Sequence, residues 1–267
     1  MDRSYGFIAG QESIEEHLDY AITHNFDHIE IDLRPGNSGL NGSGLEKISE
    51  LKRIVSDRKV SFSFHLPGSI NFAKSKFIFK RKFLNYLRSS IKLASELNAT
   101  HITAHTGYFS RSVLWSDPRE DFIQRAVDNI LVISDICEEF NIKFALENLI
   151  PMPKHSAYHF IGDNIKDFQL IFSLAGSNNL GLCLDVGHSN LSEGALEYIK
   201  HFENRIVCVH YHDNMGKEDQ HLEIGEGNII WKNVIENLDR INFKGPYISE
   251  CFRSEPHLTR KRLLDII

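Results

Sequence analysis

Eight short runs of β-branched and aromatic residues alternate with longer amphipathic segments, and no hairpin-type turn joins two neighbouring runs. The runs are YGFIAG (5–10), HIEIDL (28–33), VSFSFH (60–65), HITAH (101–105), KFALE (143–147), LGLCLD (180–185), IVCVH (206–210) and YISE (247–250). Between them lie segments such as SIEEHLDYAITHN, LEKISELKRIVSD and RKFLNYLRSSIKLASELN, whose apolar residues recur at helical spacing, as in Leu87, Ile91, Ala94 and Leu97. Ser13 ahead of Glu15 and Glu16, Asp117 before Pro118, and Ser192 before Glu193 supply helix start signals. Strict alternation implies parallel strands, because each parallel pair needs a crossover segment. Eight such units in 267 residues match an α/β fold of the (β/α)8 TIM barrel type. A doubly wound open sheet would place a Gly-rich phosphate loop after the first strand, and GQES after Ala9 is not GxGxxG. RPGNSGLNGSG (34–44) reads as a loop after the second strand, so residues 1–267 are expected to form a single domain. That leaves no room for a separate DNA-binding or cofactor domain.

Several classes can be set aside on composition. No stretch reaches about 18 consecutive apolar residues, so no transmembrane helix is expected. The opening MDRSYGFIAGQESIEEH carries acids at 12, 15 and 16, unlike a signal peptide. Cys137, Cys183, Cys208 and Cys251 lie at least 25 residues apart, a spacing that excludes a CxxC zinc ribbon and argues against a disulfide framework. A reducing, cytoplasmic location is expected. A net charge of −6 offers no global basic field for nucleic acid. KFIFKRK and RKFLNYLR, within 74–88, are local basic stretches that read as the solvated face of a helix. Histidine is over-used, with 14 in the chain.

Those histidines have a location. Strand two ends near Glu30 and Asp32, strand three at His65, strand four at His105 and strand five at Glu147. Strand six ends at Asp185 with His188 three residues on, strand seven at His210 and strand eight at Glu250. In a barrel these residues point into one mouth at the C-terminal ends of the strands. Imidazoles and carboxylates converging from different strands suit a divalent metal. His17, His24, His28, His101, His155, His159, His201 and His257 fall on helices, strand starts or loops and are expected to be structural or incidental. His101, at the start of the strand that His105 ends, is expected at the opposite rim. The stretch 208–231 is richest. His210 and His212 share a strand face, the following loop delivers Asp219 and His221, and Asp213 reads as an orienter for a ligating imidazole.

HLPGSIN (65–71), HTG (105–107), LENL (146–149), CLDVGH (183–188), VHYHDN (209–214), DQHLEIGEGNI (219–229) and ISE (248–250) together resemble the xylose isomerase-like TIM barrels. This superfamily includes sugar (phosphate) isomerases and epimerases and the endonuclease IV type of abasic-site nucleases (AP endonuclease family 2). The resemblance spans essentially the whole chain. In epimerase-like members it implies one metal on Glu147, Asp185, His210 and Glu250. In the nuclease branch it implies a zinc cluster that adds His65, His105, His188, Asp219 and His221. The chain departs from the nucleases in the loop between His210 and Asp219, in LENLIPMPKH after strand five, and in RPGNSGL after strand two, which lacks an aromatic residue near a lesion.

The resemblance implies an enzyme using one to three divalent ions (Mn, Co, Mg or Zn). The expected reaction is isomerisation or epimerisation of a small polyhydroxy carbonyl compound, with Glu147 and Glu250 shuttling a proton through an enediolate. His188, His212, His65 and His105 are expected to contact substrate, and Tyr108, Phe109 or Trp115 to cover it. The alternative is a phosphodiesterase of the abasic-site type, and only then would DNA be a partner. A barrel that binds without turnover fits poorly, since it has no reason to keep buried carboxylates converging. No membrane partner is expected, and an oligomer is compatible with the sequence.

Overall fold

The computed structural model describes residues 3–10, 12–33, 53, 60–74, 81–110 and 118–267. Trp115, Asp117, the loop 34–44 and nearly all of the expected helix LEKISELKRIVSD lie outside them.

The chain order is β1 (Tyr5–Ala9), α1 (Ile14–Thr23), β2 (His28–Asp32), β3 (Ser61–His65), α2 (Arg81–Glu96), β4 (His101–His105), β5 (Tyr108–Ser110), α3 (Arg119–Glu139), β6 (Lys143–Glu147) and β7 (Tyr158–Phe160). It continues with α4 (Ile165–Ala175), β8 (Leu180–Asp185), α5 (Val186–Ser189), α6 (Ala195–Phe202), β9 (Ile206–Tyr211), α7 (Trp231–Arg240), β10 (Tyr247–Ser249) and α8 (Pro256–Ile266). Strands β1, β2, β3, β4, β6, β8, β9 and β10 close into a parallel (β/α)8 barrel. Each of the eight expected strands is present. The additional pair, β5 with β7, is antiparallel and built from the loops that follow β4 and β6. Phe109 in β5 is therefore buried, stacking on Phe122 at 4.8 Å, and anchors that loop instead of covering a site.

The main apolar core lies between the strands and the helices. Along α3, Phe122, Ile123, Ala126, Val127, Ile130, Ile133 and Cys137 are buried at helical spacing. They share one cluster with outward-facing Phe62, Phe64, Phe144 and Leu146. Each large side chain removed from water there contributes roughly 1.5–3 kcal/mol before entropy is counted. Ser13 and Glu16 form a reciprocal capping box at the start of α1, as the sequence signals. Asp185 caps α5 directly, its Oδ1 accepting from His188 N at 2.6 Å.

Register decides which residues face the barrel axis. Glu30 pairs with Ser63 and Asp32 with His65. His105 pairs with Glu147, and Asp185 with His210. Between β8 and β9 the register shifts by one residue, so that Leu182 pairs with Ile206 but Cys183 with Cys208. A one-residue shift reverses which face each following side chain takes, and here it turns Cys208 and His210 onto the face of Cys183 and Asp185. Gly181 makes the shift possible, since a Cβ there would lie 2.3 Å from Val207 Cγ2.

Candidate metal centre

The C-terminal ends of the barrel strands bring the candidate ligands from β3 onward together in three adjoining groups, while Glu30 and Asp32 of β2 belong to none of them. One contains Glu147, Asp185, His210 and Glu250, another His65, His105 and Glu147, and the third His188, His212, Asp219 and His221. Within each, one ligand atom per residue lies within 4.8 Å of the others. Glu147 is common to two groups. Its Oε2 lies 2.9 Å from His65 Nε2 and 3.3 Å from His105 Nε2, and its Oε1 lies 3.2 Å from His188 Nδ1. His210 Nδ1 faces Glu250 Oε1 at 3.2 Å. Asp219 links His188, 3.4 Å away, to His221, 3.1 Å away.

These positions follow from alternation along strands. Residues 101, 103 and 105 face inward on β4, as do 143, 145 and 147 on β6. The backbone of Asp185 is pinned from β6, because Asn148 Oδ1 accepts from Asp185 N and Asn148 Nδ2 donates to Asp185 O. Asn148 was not singled out from sequence, although it directly follows Glu147 in LENL. His221 takes a left-handed backbone conformation, φ 45°, which folds its loop back over the mouth. Its ring stacks on His212 at 3.8 Å and on Phe252 at 4.5 Å.

The electrostatics are those of a closely neutralised lattice. Burial pushes the Glu147 carboxyl up, but the imidazoles of His105, His188 and His65 outweigh it and hold Glu147 well below the usual carboxylate range. Burial likewise opposes ionisation of Asp185 and Glu250, yet His188 and His212 lower the former and His210 the latter. Burial would keep the imidazoles neutral, but adjacent carboxylates raise His65 and His221 to about 9 and His188 and His210 well above the ordinary value.

The residues fit a divalent ion. Asp185 Oδ2, Asp219 Oδ1, His210 Nδ1 and both ring nitrogens of His212 are buried with no aligned hydrogen-bond partner. Such atoms are rare unless something else satisfies them. Nitrogen and carboxylate oxygen donors together suit zinc, manganese, cobalt or magnesium.

A cavity of about 410 Å³ opens over these groups, lined by Asp32, His65, Gly68, Ser69, His105, Glu147, His188, Asp219, His221, Glu250, Ile8 and Phe252. Other hollows of similar size, beside Glu12 and Tyr20 and beside Lys143 and Arg205, coincide with none of these ligand groups. Phe252, 62% exposed at the mouth, carried no sequence signal beyond following Glu250 closely. His212 corrects one expectation. It is absent from the lining and fully buried, covered by His221 with its Nε2 3.2 Å from Asp185 Oδ1.

One further expectation changes. Asp213 orients no imidazole. Its carboxylate accepts from Trp231 Nε1 at 3.1 Å and from the backbone N–H groups of Asn214 and Gly225, because adjacent strand residues face opposite ways. His28 and His101 are structural, as expected, both fully buried and stacked parallel at 5.8 Å.

Comparison with known proteins agrees with this architecture. Residues 18–265 match the sequence profile described as "Xylose isomerase-like TIM barrel". An uncharacterised protein of Methanocaldococcus jannaschii is 31% identical over 239 residues, 88% of this chain and 78% of its own. The "Probable endonuclease 4" of Ureaplasma urealyticum is 26% identical over 220 residues, 75% of this chain and 69% of its own. Among solved structures, a D-tagatose 3-epimerase-like protein superposes with a TM-score of 0.82 at 28% identity, covering 98% of this chain and 96% of that one.

Proposed function

The chain belongs to the xylose isomerase-like TIM barrel family, and from that premise we propose that it is a divalent-metal-dependent isomerase or epimerase of a small polyhydroxy carbonyl compound. The observation that carries this reading is the convergence of Glu147, Asp185, His210 and Glu250, all buried, at the base of a cavity of small-molecule size. The similarity to the epimerase-like structure supports it.

These four residues would hold the ion. When bound, it supplies Lewis-acid polarisation of a substrate carbonyl and its neighbouring hydroxyl, making the intervening C–H more acidic. Glu147 and Glu250, arriving from β6 and from just beyond β10, supply the carboxylates that take and return the proton. His65, His105 and His188 face the cavity and offer hydrogen bonds to substrate hydroxyls. His221 and Phe252 form a stacked wall at the mouth that shields the site from bulk water.

A second reading, phosphodiester cleavage with a zinc cluster, is favoured by one observation. The three ligand groups adjoin and share Glu147, an arrangement able to hold more than one ion. The similarity to the endonuclease 4 sequence points the same way. Metal content and two assays separate the readings. The epimerase reading expects one ion per chain and solvent deuterium incorporated next to the carbonyl of a ketose from a sugar panel. Two or three zinc ions with robust incision of an abasic-site duplex would overturn it.

A further inference from the structure

Beneath the candidate metal centre the barrel interior is polar at positions that barrels commonly fill with Val, Ile or Leu. Only Ala145, Cys183, Cys208 and Ile248, with Val207 beside them, form an apolar cluster there among the described residues. Along β2, β3 and β4 the inward positions are His28, Glu30, Ser61, Ser63, His101 and Thr103. Glu30 is fully buried and uses both oxygens. Oε2 accepts from Ser63 Oγ at 2.6 Å and from Thr103 Oγ1 at 3.1 Å. Oε1 lies 2.8 Å from His210 Nε2. The ring N–H is tilted off that contact, and neither atom has any other hydrogen-bond partner. A buried donor and a buried anion at this separation, with nothing else to bind, satisfy each other.

We infer that Glu30 is the positioning carboxylate of this metal centre, holding the proton of His210 on Nε2 so that Nδ1 is the ligand atom. The inference rests on the metal-dependent reading above. The two links directly below Glu30 have a fixed direction. Ser63 spends its hydroxyl proton on Glu30, so its oxygen must accept from His28 Nε2, 2.8 Å away. His28 Nδ1 lies 2.8 Å from Ser61 Oγ. Ser61 Oγ also donates to the Asp27 carbonyl at 2.9 Å, beside the Ser61 backbone N–H, so Ser61 closes the foot of the column without setting its direction. The Ser63 hydroxyl and the His28 Nε2–H thus both point up toward Glu30, and an acceptor-only carboxylate leaves the proton of its contact with His210 on Nε2. Carboxylate partners of ligating histidines fix the tautomer in this way. Among the described residues, Glu30 is the one carboxylate recorded against Nε2, while Glu147 and Glu250 face Nδ1.

Metal-free protein titrated with zinc against a chromophoric chelator tests the inference. Glu30→Gln keeps the shape but can offer an amide N–H to Nε2, so zinc affinity should fall by about 10–100-fold. Ser63→Ala leaves the Thr103 donor in place and should cost markedly less. In zinc-loaded wild type, nitrogen-15 spectra of the histidine rings should show the His210 proton on Nε2, a readout that a merely structural role would not set. Unchanged zinc affinity in Glu30→Gln, or a proton found on Nδ1, overturns the inference. If Glu30→Gln does not fold, the wild-type tautomer decides alone. Failure of wild type to bind zinc, manganese, cobalt or magnesium would defeat the metal-dependent reading itself, and the inference with it.

Discussion

Gly187 presses its bare Cα against the ring of His212 so closely that a Cβ would sit 2.1 Å from Cε1 and 2.4 Å from Nε2. The ring has nowhere to retreat. His221 stacks on it at 3.8 Å, and Asp185 Oδ1 lies 3.2 Å from Nε2. The segment DVGH therefore works as a unit, in which Asp185 is both candidate ligand and helix cap, Gly187 supplies clearance, and His188 returns to the site.

Gly187→Ala should act as an overpacking substitution with a functional signature. Forcing a methyl against a trapped ring costs about 1–3 kcal/mol, read as a lower melting temperature of the metal-free protein. Because His212 braces Asp185, metal affinity should fall as well. A variant with wild-type melting and wild-type metal affinity would show that His212 has room to move.

Glu250→Gln and Asp219→Ala should behave differently. Removing the Glu250 carboxylate takes away a candidate ligand and a candidate proton carrier, and a loss of about 10²–10⁴ in kcat is expected from the proton-transfer role alone. Asp219 touches His188 and His221 but lies outside the group of Glu147, Asp185, His210 and Glu250. In a single-ion epimerase Asp219→Ala should leave metal stoichiometry unchanged and reduce turnover far less than Glu250→Gln. A loss of bound metal on Asp219→Ala would instead show that the third ligand group holds an ion.

Asp213 should matter for stability. It accepts from Trp231 Nε1 at 3.1 Å, from Gly225 N at 2.9 Å and from Asn214 N at 2.9 Å, tying the loop that carries Asp219 and His221 to α7. Asp213→Ala strands the buried indole N–H and should cost about 1–3 kcal/mol in chemical denaturation. No loss of stability would mean that water replaces the carboxylate there.

Much of the site was legible because one rule governs it. In a strand, alternate residues share a face, so polar residues at strand ends predict a common mouth, and His65, His105, Glu147, Asp185 and His210 meet there. The same rule applied two residues earlier reaches Ser63 and Thr103, and across β2 it reaches Glu30. Reading only the strand ends named Glu30 beside Asp32 but left Ser63 and Thr103, which hold Glu30 below the mouth, unassigned. The rule also turns Asp213 away from the face of His212, which corrects the orienter role expected for it. The pairing of β5 with β7 was not legible, because Phe109 meets His159 across a long sequence separation and neither short segment has a periodicity of its own. The register shift at Val207 is equally silent locally, as it depends on the space Gly181 leaves on the neighbouring strand.

The buried column should also be visible in the pH dependence of stability. Burial, with His101 stacked alongside, pushes the His28 imidazole down from 6.5 to about 3, against a smaller opposing pull from Glu30. Above pH 7 the ring is neutral whether the chain is folded or not, and His28 makes no pH-dependent contribution. As pH falls below about 6.5, the unfolded chain binds a proton that the folded ring refuses, so stability is lost progressively until the folded value of about 3 is reached. At pH 5 that loss is on the order of 2 kcal/mol. Neighbouring groups titrate too, since adjacent Cys208 and Glu30 raise His101 to about 9 against its burial, so the informative quantity is a difference. Denaturant melts of wild type and His28→Asn at pH 7.5 and pH 5 should show a smaller drop in the variant by about this amount. Equal drops would mean that His28 is protonated in the folded barrel, with Nδ1 as well as Nε2 carrying a proton.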